Sequence, residues 1–117
     1  MTSITTNLET PASALLICAH PDVAEFQCGA TLAKWAASGC VVHYLVCTDG
    51  SKGTWDVKAD PEALVALRKI EQAEAARRLG ATGQVAFLGV VDGELQSDLA
   101  TRSRVAEWIR RLEPAVV

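Results

Sequence analysis

The sequence lacks the features that mark several large classes of protein. No apolar run approaches the roughly 20 residues of a membrane-spanning helix, and residues 1–11 carry neither a basic start nor a long apolar stretch. We therefore expect no membrane span and no signal peptide. The four cysteines form no CxxC pair and no zinc-ribbon spacing, which predicts buried, reduced thiols and a cytoplasmic protein.

Positive charge is not in excess either. Eleven Lys and Arg residues stand against 14 Asp and Glu, which gives a formal net charge of -3. A surface for nucleic acid or an anionic membrane needs clustered Lys and Arg, so we expect neither partner. The basic residues near the C-terminus fit a solvated helix face; they are Arg102, Arg104, Arg110 and Arg111. Half of the 117 residues are apolar, which is typical of one folded domain.

Side chains that are able to bind ligands or transfer protons directly follow the first apolar run. Residues 15–19 are apolar without alternation, as in a strand of a parallel sheet that is covered on both faces. His20 and Asp22 come next, in the crevice beyond the carboxyl end of a strand, where open α/β sheets bind ligands. Pro21 and Asp22 suit the start of a helix, which we expect to reach Ser38. Its predicted inward face consists of Phe26, Ala30, Ala33 and Ala37.

Three more apolar segments and two more helices follow in alternation. The strands are predicted at 41–47, 84–88 and 115–117. Helices are predicted over 60–79, with Asp60 as N-cap and Pro61 in the first turn, and over 98–112. The predicted inward face of the second helix consists of Leu64, Leu67, Ile70, Ala73 and Ala76. The long, partly aromatic loop over 51–59 is more typical of a functional loop than of a plain connector.

This βαβαβαβ order predicts an α/β fold with a parallel sheet in three layers, α/β/α, and the strand order 3-2-1-4. In that order the carboxyl ends of the first three strands lie side by side. They carry His20 and Asp22, then Asp49, then Asp92, so acidic groups converge at one edge of the sheet. A dinucleotide site is excluded, because the first turn has no GxGxxG pattern.

Two kinds of chemistry are open to a histidine and carboxylates at a strand end. One uses a metal such as zinc, whose catalytic sites have three protein ligands and a bound water. The other is acid–base catalysis without metal, and a chance turn is a third interpretation of residues 20–22. Similarly, Arg68 and Glu71 lie one turn apart and can form a plain surface ion pair. His43 lies in the middle of a predicted strand and is interpreted as structural.

The motifs taken together resemble one family. The run Ala19-His20-Pro21-Asp22-Val23-Ala24-Glu25-Phe26, followed by Cys28-Gly29 and Thr31-Leu32, resembles the LmbE-like (PIG-L) family of zinc-dependent N-deacetylases. The resemblance continues through Thr48-Asp49-Gly50 with Lys52-Gly53, through Arg68 and Glu71 before Leu79-Gly80, and through Leu88-Gly89 with Asp92-Gly93-Glu94. It covers residues 14–117.

This resemblance implies a Rossmann-like domain that hydrolyses N-acetyl or other N-acyl groups, often on glucosamine conjugates. By position, His20 is implied as a zinc ligand and Asp22 as the general base. Arg68 and Asp92 are implied as binding residues for sugar hydroxyls, and Asp49 at the same edge is a further substrate-binding candidate. The expected partner is therefore a small N-acylated sugar or thiol conjugate.

Two departures from the family pattern bear on activity. The family motif reads His-Pro-Asp-Asp and its second Asp is a zinc ligand, but Val23 stands there and has no donor atom. Glu25 is a poor substitute, because it points elsewhere on the helix. The second departure is that the family's remaining zinc histidine, and a further histidine that assists the reaction, come from a segment after the fourth strand, which the 117 residues do not include.

Two hypotheses follow from these departures. In the first, residues 1–13 are a flexible tail and residues 14–117 are the N-terminal part of an LmbE-like deacetylase domain, truncated after the fourth strand, with activity in a longer protein. In the second, the chain is a degenerate homologue that binds a sugar-like ligand or only packs. Loss of two direct ligands should remove tight zinc binding. The short fourth strand leaves one edge of the sheet unprotected, so the chain should self-associate as a homo-oligomer or be marginally stable.

Overall fold

Six elements alternate along residues 9–117, the part of the chain that the computed structural model describes. They are β1 (Ser13–Cys18), α1 (Val23–Ala37), β2 (Val41–Thr48), α2 (Pro61–Leu79), β3 (Val85–Val90) and α3 (Leu99–Leu112). The predicted alternation of strands and helices is confirmed through the third helix. The predicted tail falls mostly on residues 1–8, which lie outside the described residues, and Ser13 already belongs to β1.

β2 is the central strand of a parallel three-stranded sheet. β1 pairs with one edge of it, with Ser13 opposite Val41 at the start of the register. β3 pairs with the other edge, with Val85 opposite Tyr44. The predicted parallel sheet is confirmed for these three strands, and their carboxyl ends therefore lie on one side.

The C-terminal segment approaches the free edge of β1 without forming a strand. Val116 makes one isolated parallel bridge with Ala14, and its carbonyl accepts a hydrogen bond from the Leu15 N–H at 2.9 Å. Among the described residues the predicted fourth strand is thus reduced to a single bridge. The full strand order 3-2-1-4 stays a prediction.

The sheet separates two apolar cores. Successive side chains of a strand point to opposite faces, so neighbouring residues of β2 enter different cores. Tyr44 lies in the core that α1 and α2 cover, and Leu45 lies in the core that α3 covers. Both side chains are 0% exposed. The elements therefore form three layers, α/β/α, as the sequence predicts.

The predicted inward face of α1 is largely wrong, since only Ala33 of its four residues is partly buried. Phe26 is 84% exposed, and Ala30 and Ala37 are exposed as well. Ala24 and Leu32 are buried instead, at 0% and 4% exposure. The chain turns from β1 directly into α1, so residue 24 meets the sheet first and positions four residues apart follow it on the same face.

The predicted inward face of α2 is also largely wrong. Leu67 and Ile70 are 50% and 67% exposed, whereas Gln72 and Ala76 are each 2% exposed. Because alanine recurs on several sides of this helix, its apolar periodicity does not define one face. Contacts with the sheet and α1 select the face instead. This face includes Arg68, so α2 carries polar side chains toward the ends of the strands.

The predicted ends of α2 are confirmed. Asp60 is the N-cap, and its carboxylate accepts a hydrogen bond from the Glu62 N–H at 3.0 Å. Gly80 ends the helix with a φ of 98°, which glycine adopts more readily than other residues. Between residues 9 and 117, every helix is too short or too polar to cross a membrane.

The cysteines match the predicted buried thiols. Cys18, Cys40 and Cys47 are buried, Cys28 is partly buried, and all four are free. Burial, with a smaller contribution from neighbouring Cys47, raises the pKa of Cys18 to about 12. The Cys18 thiol therefore stays protonated, and poorly nucleophilic, near neutral pH.

Gly50 packs the loop after β2 against the turn after β1. It has a φ of +69°, and a Cβ there would lie 3.2 Å from Cδ of Pro21. We expect Gly50→Ala to lower the free energy of unfolding by about 1–3 kcal/mol, because the left-handed backbone and the crowded contact both disfavour a side chain.

Gly39→Ala is the matched control, since its φ is +94° but a Cβ there would meet nothing within 4 Å. Urea unfolding followed by circular dichroism should give a larger loss at position 50 than at position 39. Equal losses would contradict a tight contact between the two loops.

Candidate active site

The carboxyl ends of the strands open into one cleft with a volume of about 320 Å³. Four residues predicted for the site line it: His20, Asp22, Arg68 and Asp92. Val23, which stands where the family pattern has a second Asp, also lines it. Asp49 does not line this cleft. Gly50 and Gly53 after β2 line it too, so residues from the ends of all three strands and from α2 meet in one space.

His20 and Asp92 join the exits of β1 and β3. Nε2 of His20 lies 3.1 Å from Oδ1 of Asp92. The two side chains are 50% and 15% exposed, respectively. With Nε2 protonated, the imidazole donates to the carboxylate. Asp92 thereby fixes the orientation of the His20 ring in the cleft.

The described residues do not fit a zinc centre by themselves. A catalytic zinc needs three protein ligands, and no three His, Cys, Asp or Glu side chains among residues 9–117 are placed to hold a metal ion. Val23 supplies no donor atom, and Nε2 of His20 already contacts Asp92. Glu25, the candidate substitute, is engaged elsewhere: its Oε1 accepts a hydrogen bond from Nε2 of Gln72 at 2.7 Å.

Hydrogen bonds of the Thr48 and Asp49 side chains connect the carboxyl ends of the three strands. Oδ1 of Asp49 accepts hydrogen bonds from the backbone N–H of Ser51 at 2.9 Å and of Asp92 at 3.1 Å. Thr48 is 2% exposed, and its hydroxyl donates to the Ala19 carbonyl at 2.6 Å. The exit of β2 is therefore bonded to the exits of both β1 and β3.

Asp22 sits at the start of α1 in an unusual backbone conformation. It is the N-cap residue with a φ of 79°, and its side chain makes no hydrogen bond to the helix end. Its backbone N–H donates to Oε1 of Gln72 at 2.8 Å. The exposed carboxylate lines the cleft, where it is able to accept a proton from water or a hydrogen bond from a hydroxyl.

Arg68 forms the ion pair with Glu71 and also lines the cleft, so both interpretations from the sequence apply to it. Its NH1 group donates to Oε2 of Glu71 at 2.8 Å, which confirms the predicted ion pair. The Arg68 side chain is 32% exposed and also lines the cleft. An exposed pair of this kind contributes little to stability, but it holds the guanidinium in place. The remaining N–H groups are able to bind two oxygens of a ligand.

Neither Gln72 nor Thr48 is among the residues predicted for the site. A signal for Gln72 exists, because it lies four residues after Arg68 and so shares its face of the helix. The signal for Thr48 is its place between the apolar run of β2 and Asp49. His43 has the structural role predicted for it: its Nδ1 accepts a hydrogen bond from the Gln84 N–H at 2.9 Å, and burial lowers its pKa.

Comparisons with known proteins identify a family and several relatives of this chain. A family model described as PIG-L, GlcNAc-PI de-N-acetylase, matches residues 15–117. Diacetylchitobiose deacetylase of Thermococcus kodakarensis is 33% identical over 98 residues, covering 84% of this chain and 36% of that protein. The 4-oxalmesaconate hydratase of Pseudomonas putida is 32% identical over 117 residues, covering 95% of this chain and 45% of that protein.

Solved structures show the same relationship. N,N'-diacetylchitobiose deacetylase from Pyrococcus horikoshii, in complex with an inhibitor, matches with a TM-score of 0.86 and 31% sequence identity. The match covers 95% of this chain and 43% of that one. The chain thus spans less than half the length of these proteins.

Asp49 is expected to make stability depend on pH in the acid range. Burial by itself would raise the pKa of the carboxyl, but hydrogen bonds from Ser51 and from the backbone of Asp92 outweigh it and lower the pKa. The resulting stabilisation is present above the unfolded-state pKa of about 3.9 and is lost as the pH falls through the lower, folded-state pKa.

Asp49→Asn should therefore lower the melting temperature at pH 7, and its difference from the wild type should shrink below about pH 4. Asp56→Asn is the matched control, because Asp56 lies in an exposed loop and accepts a hydrogen bond from the Lys58 N–H at 2.9 Å. Thermal unfolding across this pH range measures both variants. A difference at position 49 that stays constant with pH would contradict the assigned interaction.

Proposed function

Because the chain belongs to the PIG-L family, we propose that the protein hydrolyses N-acyl groups, with an N-acetyl group on a glucosamine-type sugar or thiol conjugate as substrate. The main support is the convergence of His20, Asp22, Arg68 and Asp92 on one cleft. Relatives named as sugar deacetylases add support at the level of the family. Since the chain spans less than half of their length, the activity is proposed for the full-length product of the reading frame that contains these residues.

Asp22 is the general base of this proposal. Its carboxylate is exposed to the cleft and makes no hydrogen bond to the end of α1, so the helix end does not occupy its oxygens. The carboxylate takes a proton from water while the water oxygen bonds to the acyl carbon. That proton then passes to the amide nitrogen as the C–N bond breaks, which releases a carboxylic acid and an amine; the acid then gives its proton to the amine, so the final products are a carboxylate and an ammonium group.

Arg68 and Asp92 hold the substrate in this proposal. The guanidinium donates to sugar hydroxyls through the N–H groups that Glu71 does not engage, and the Asp92 carboxylate accepts from a hydroxyl. Asp49 acts through the shape of the loops, since its Oδ1 is occupied by two backbone N–H groups. His20 is the one zinc ligand proposed within residues 9–117, and the proton transfer is carried by the Asp22 carboxylate.

Hydration of an unsaturated acid is a second candidate. The hydratase relative favours it, because that alignment covers 95% of the chain. Adding water across a carbon–carbon double bond also needs a base that activates water, so Asp22 fits both reactions. Acetate release from N,N'-diacetylchitobiose would favour the deacetylase, and turnover of 4-oxalmesaconate would favour the hydratase. Sugar binding without either reaction would favour the non-catalytic homologue that Val23 suggests.

Cellular location and assembly stay predictions. A cytoplasmic location rests on the cysteine pattern. Self-association rests on the sheet, because the outer edge of β3 has no partner strand among the described residues.

We expect the 117-residue chain to retain far less than one zinc per chain after dialysis against metal-free buffer. The physical reason is that His20 alone, of the three ligands a catalytic zinc requires, is supplied by the described residues. Elemental analysis measures the ratio of zinc to protein, and the full-length product is dialysed in parallel as the comparison. A tightly held, stoichiometric zinc in the 117-residue chain would contradict the expectation.

Asp22→Asn in the full-length product should lower kcat for N,N'-diacetylchitobiose by about 10²–10⁴-fold, because an amide cannot take the proton from water. Released acetate measures the rate. Asp98→Asn is the matched control: Asp98 caps α3 by accepting from the Thr101 N–H at 2.8 Å and does not line the cleft. Equal kcat values for Asp22→Asn and the wild type would show that another group is the base.

A further inference from the structure

Three aspartates precede the three helices, and one of them behaves differently. Asp60 and Asp98 are extended, and their carboxylates accept hydrogen bonds from Glu62 and Thr101 at 3.0 and 2.8 Å, as N-cap residues usually do. Asp22 instead has a φ of 79° and makes no such bond. The left-handed conformation is unfavourable for a residue with a Cβ, so other contacts must hold it.

Gln72 makes the contact that holds this conformation. Its side chain is 2% exposed, and its Oε1 accepts the Asp22 backbone N–H at 2.8 Å. Its Nε2 donates to Oε1 of Glu25 at 2.7 Å. Because a carboxylate only accepts hydrogen bonds, Glu25 requires the nitrogen of the amide to face it, which leaves the oxygen for Asp22. Both hydrogen bonds therefore require the same orientation of the Gln72 amide.

From these contacts we infer that Gln72 is a positioning residue: its buried amide holds Asp22 in the left-handed conformation that keeps the carboxylate in the cleft and away from the end of α1. Glu25 in turn orients the amide of Gln72. This inference rests on the proposed function, in which the Asp22 carboxylate is the base. It adds a role for a residue that touches neither substrate nor the reacting atoms.

The alternative conformation of Asp22 makes the role distinguishable from a structural one. Without the acceptor on Gln72, Asp22 is free to become extended and to cap α1, as Asp60 and Asp98 cap their helices. The new cap would offset part of the lost stability, but it would withdraw the carboxylate from the cleft. Loss of Gln72 therefore lowers kcat by more than a loss of stability alone explains.

Gln72→Leu removes both hydrogen bonds at similar volume and is the main variant. In the full-length product it should lower kcat by about 10- to 100-fold, as loss of an orienting partner typically does, with KM nearly unchanged. The double variant Glu25→Gln with Gln72→Glu exchanges donor and acceptor, so both bonds form again and kcat should return close to the wild-type value. Ala76→Gly, at a buried position one turn further along α2, is the control for lost stability and should keep kcat.

The backbone at Asp22 is measured separately, by NMR of the isotope-labelled 117-residue chain. A positive φ gives a strong nuclear Overhauser effect between the amide and α protons of the same residue. This signal should be strong in the wild type and in the double variant, and weak in Gln72→Leu. An unchanged signal in Gln72→Leu overturns the inference, whatever the protein catalyses.

The NMR signal and kcat test the inference and the proposed function independently. If the signal weakens while an active protein keeps its kcat, Gln72 shapes the backbone without positioning a base, and the inference is overturned. If the wild-type protein hydrolyses no N-acyl substrate, the proposed function fails. The NMR signal then decides by itself whether Gln72 holds Asp22. A weakened signal together with a lower kcat supports the inference.

Discussion

The parallel pairing of β1 and β3 with a buried β2 is the constraint on which the rest of the structure depends. The side chains of β2 that are at most 1% exposed are Val42, Tyr44, Leu45 and Val46. They fill both cores, so β2 cannot change register without exposing apolar surface on each face. With β2 fixed, the three strand exits lie on one side, and the side chains of Thr48 and Asp49 bond them together. The cleft is the direct consequence.

The polar groups behind the cleft reduce local stability. Asp22 has an unfavourable backbone conformation, and Gln72 is a buried amide that needs both of its partners. The hydroxyl of Tyr44 is buried without a hydrogen-bond partner among the described residues, which costs about 1–3 kcal/mol. Burial, followed by the charge of Glu25, raises the pKa of Tyr44. Such features are tolerated because the packed sheet and helices around them supply the stability that they lose.

Membership of the PIG-L family narrows the chemistry without choosing the reaction. The same fold carries relatives named as sugar deacetylases and one named as a hydratase. In the proposed function one base that activates water serves both reactions, so the groups that hold the substrate would decide between them. Arg68 and Asp92 are the groups in this cleft that are suited to a hydroxylated ligand, whereas Val23 removes a donor that the family pattern places at the same point.

The order of the elements, the ends of α2, and the convergence of His20, Asp22 and Asp92 could all be predicted from the sequence. These features follow from local caps, from apolar runs, and from the rule that parallel strands share one carboxyl edge. Packing in three dimensions determined that Phe26 is exposed and that Gln72 is buried, because several faces of an alanine-rich helix look alike until it is packed. It also decided that Asp22 adopts a left-handed conformation against its usual preference, since the amide that holds it lies 50 residues further along the chain.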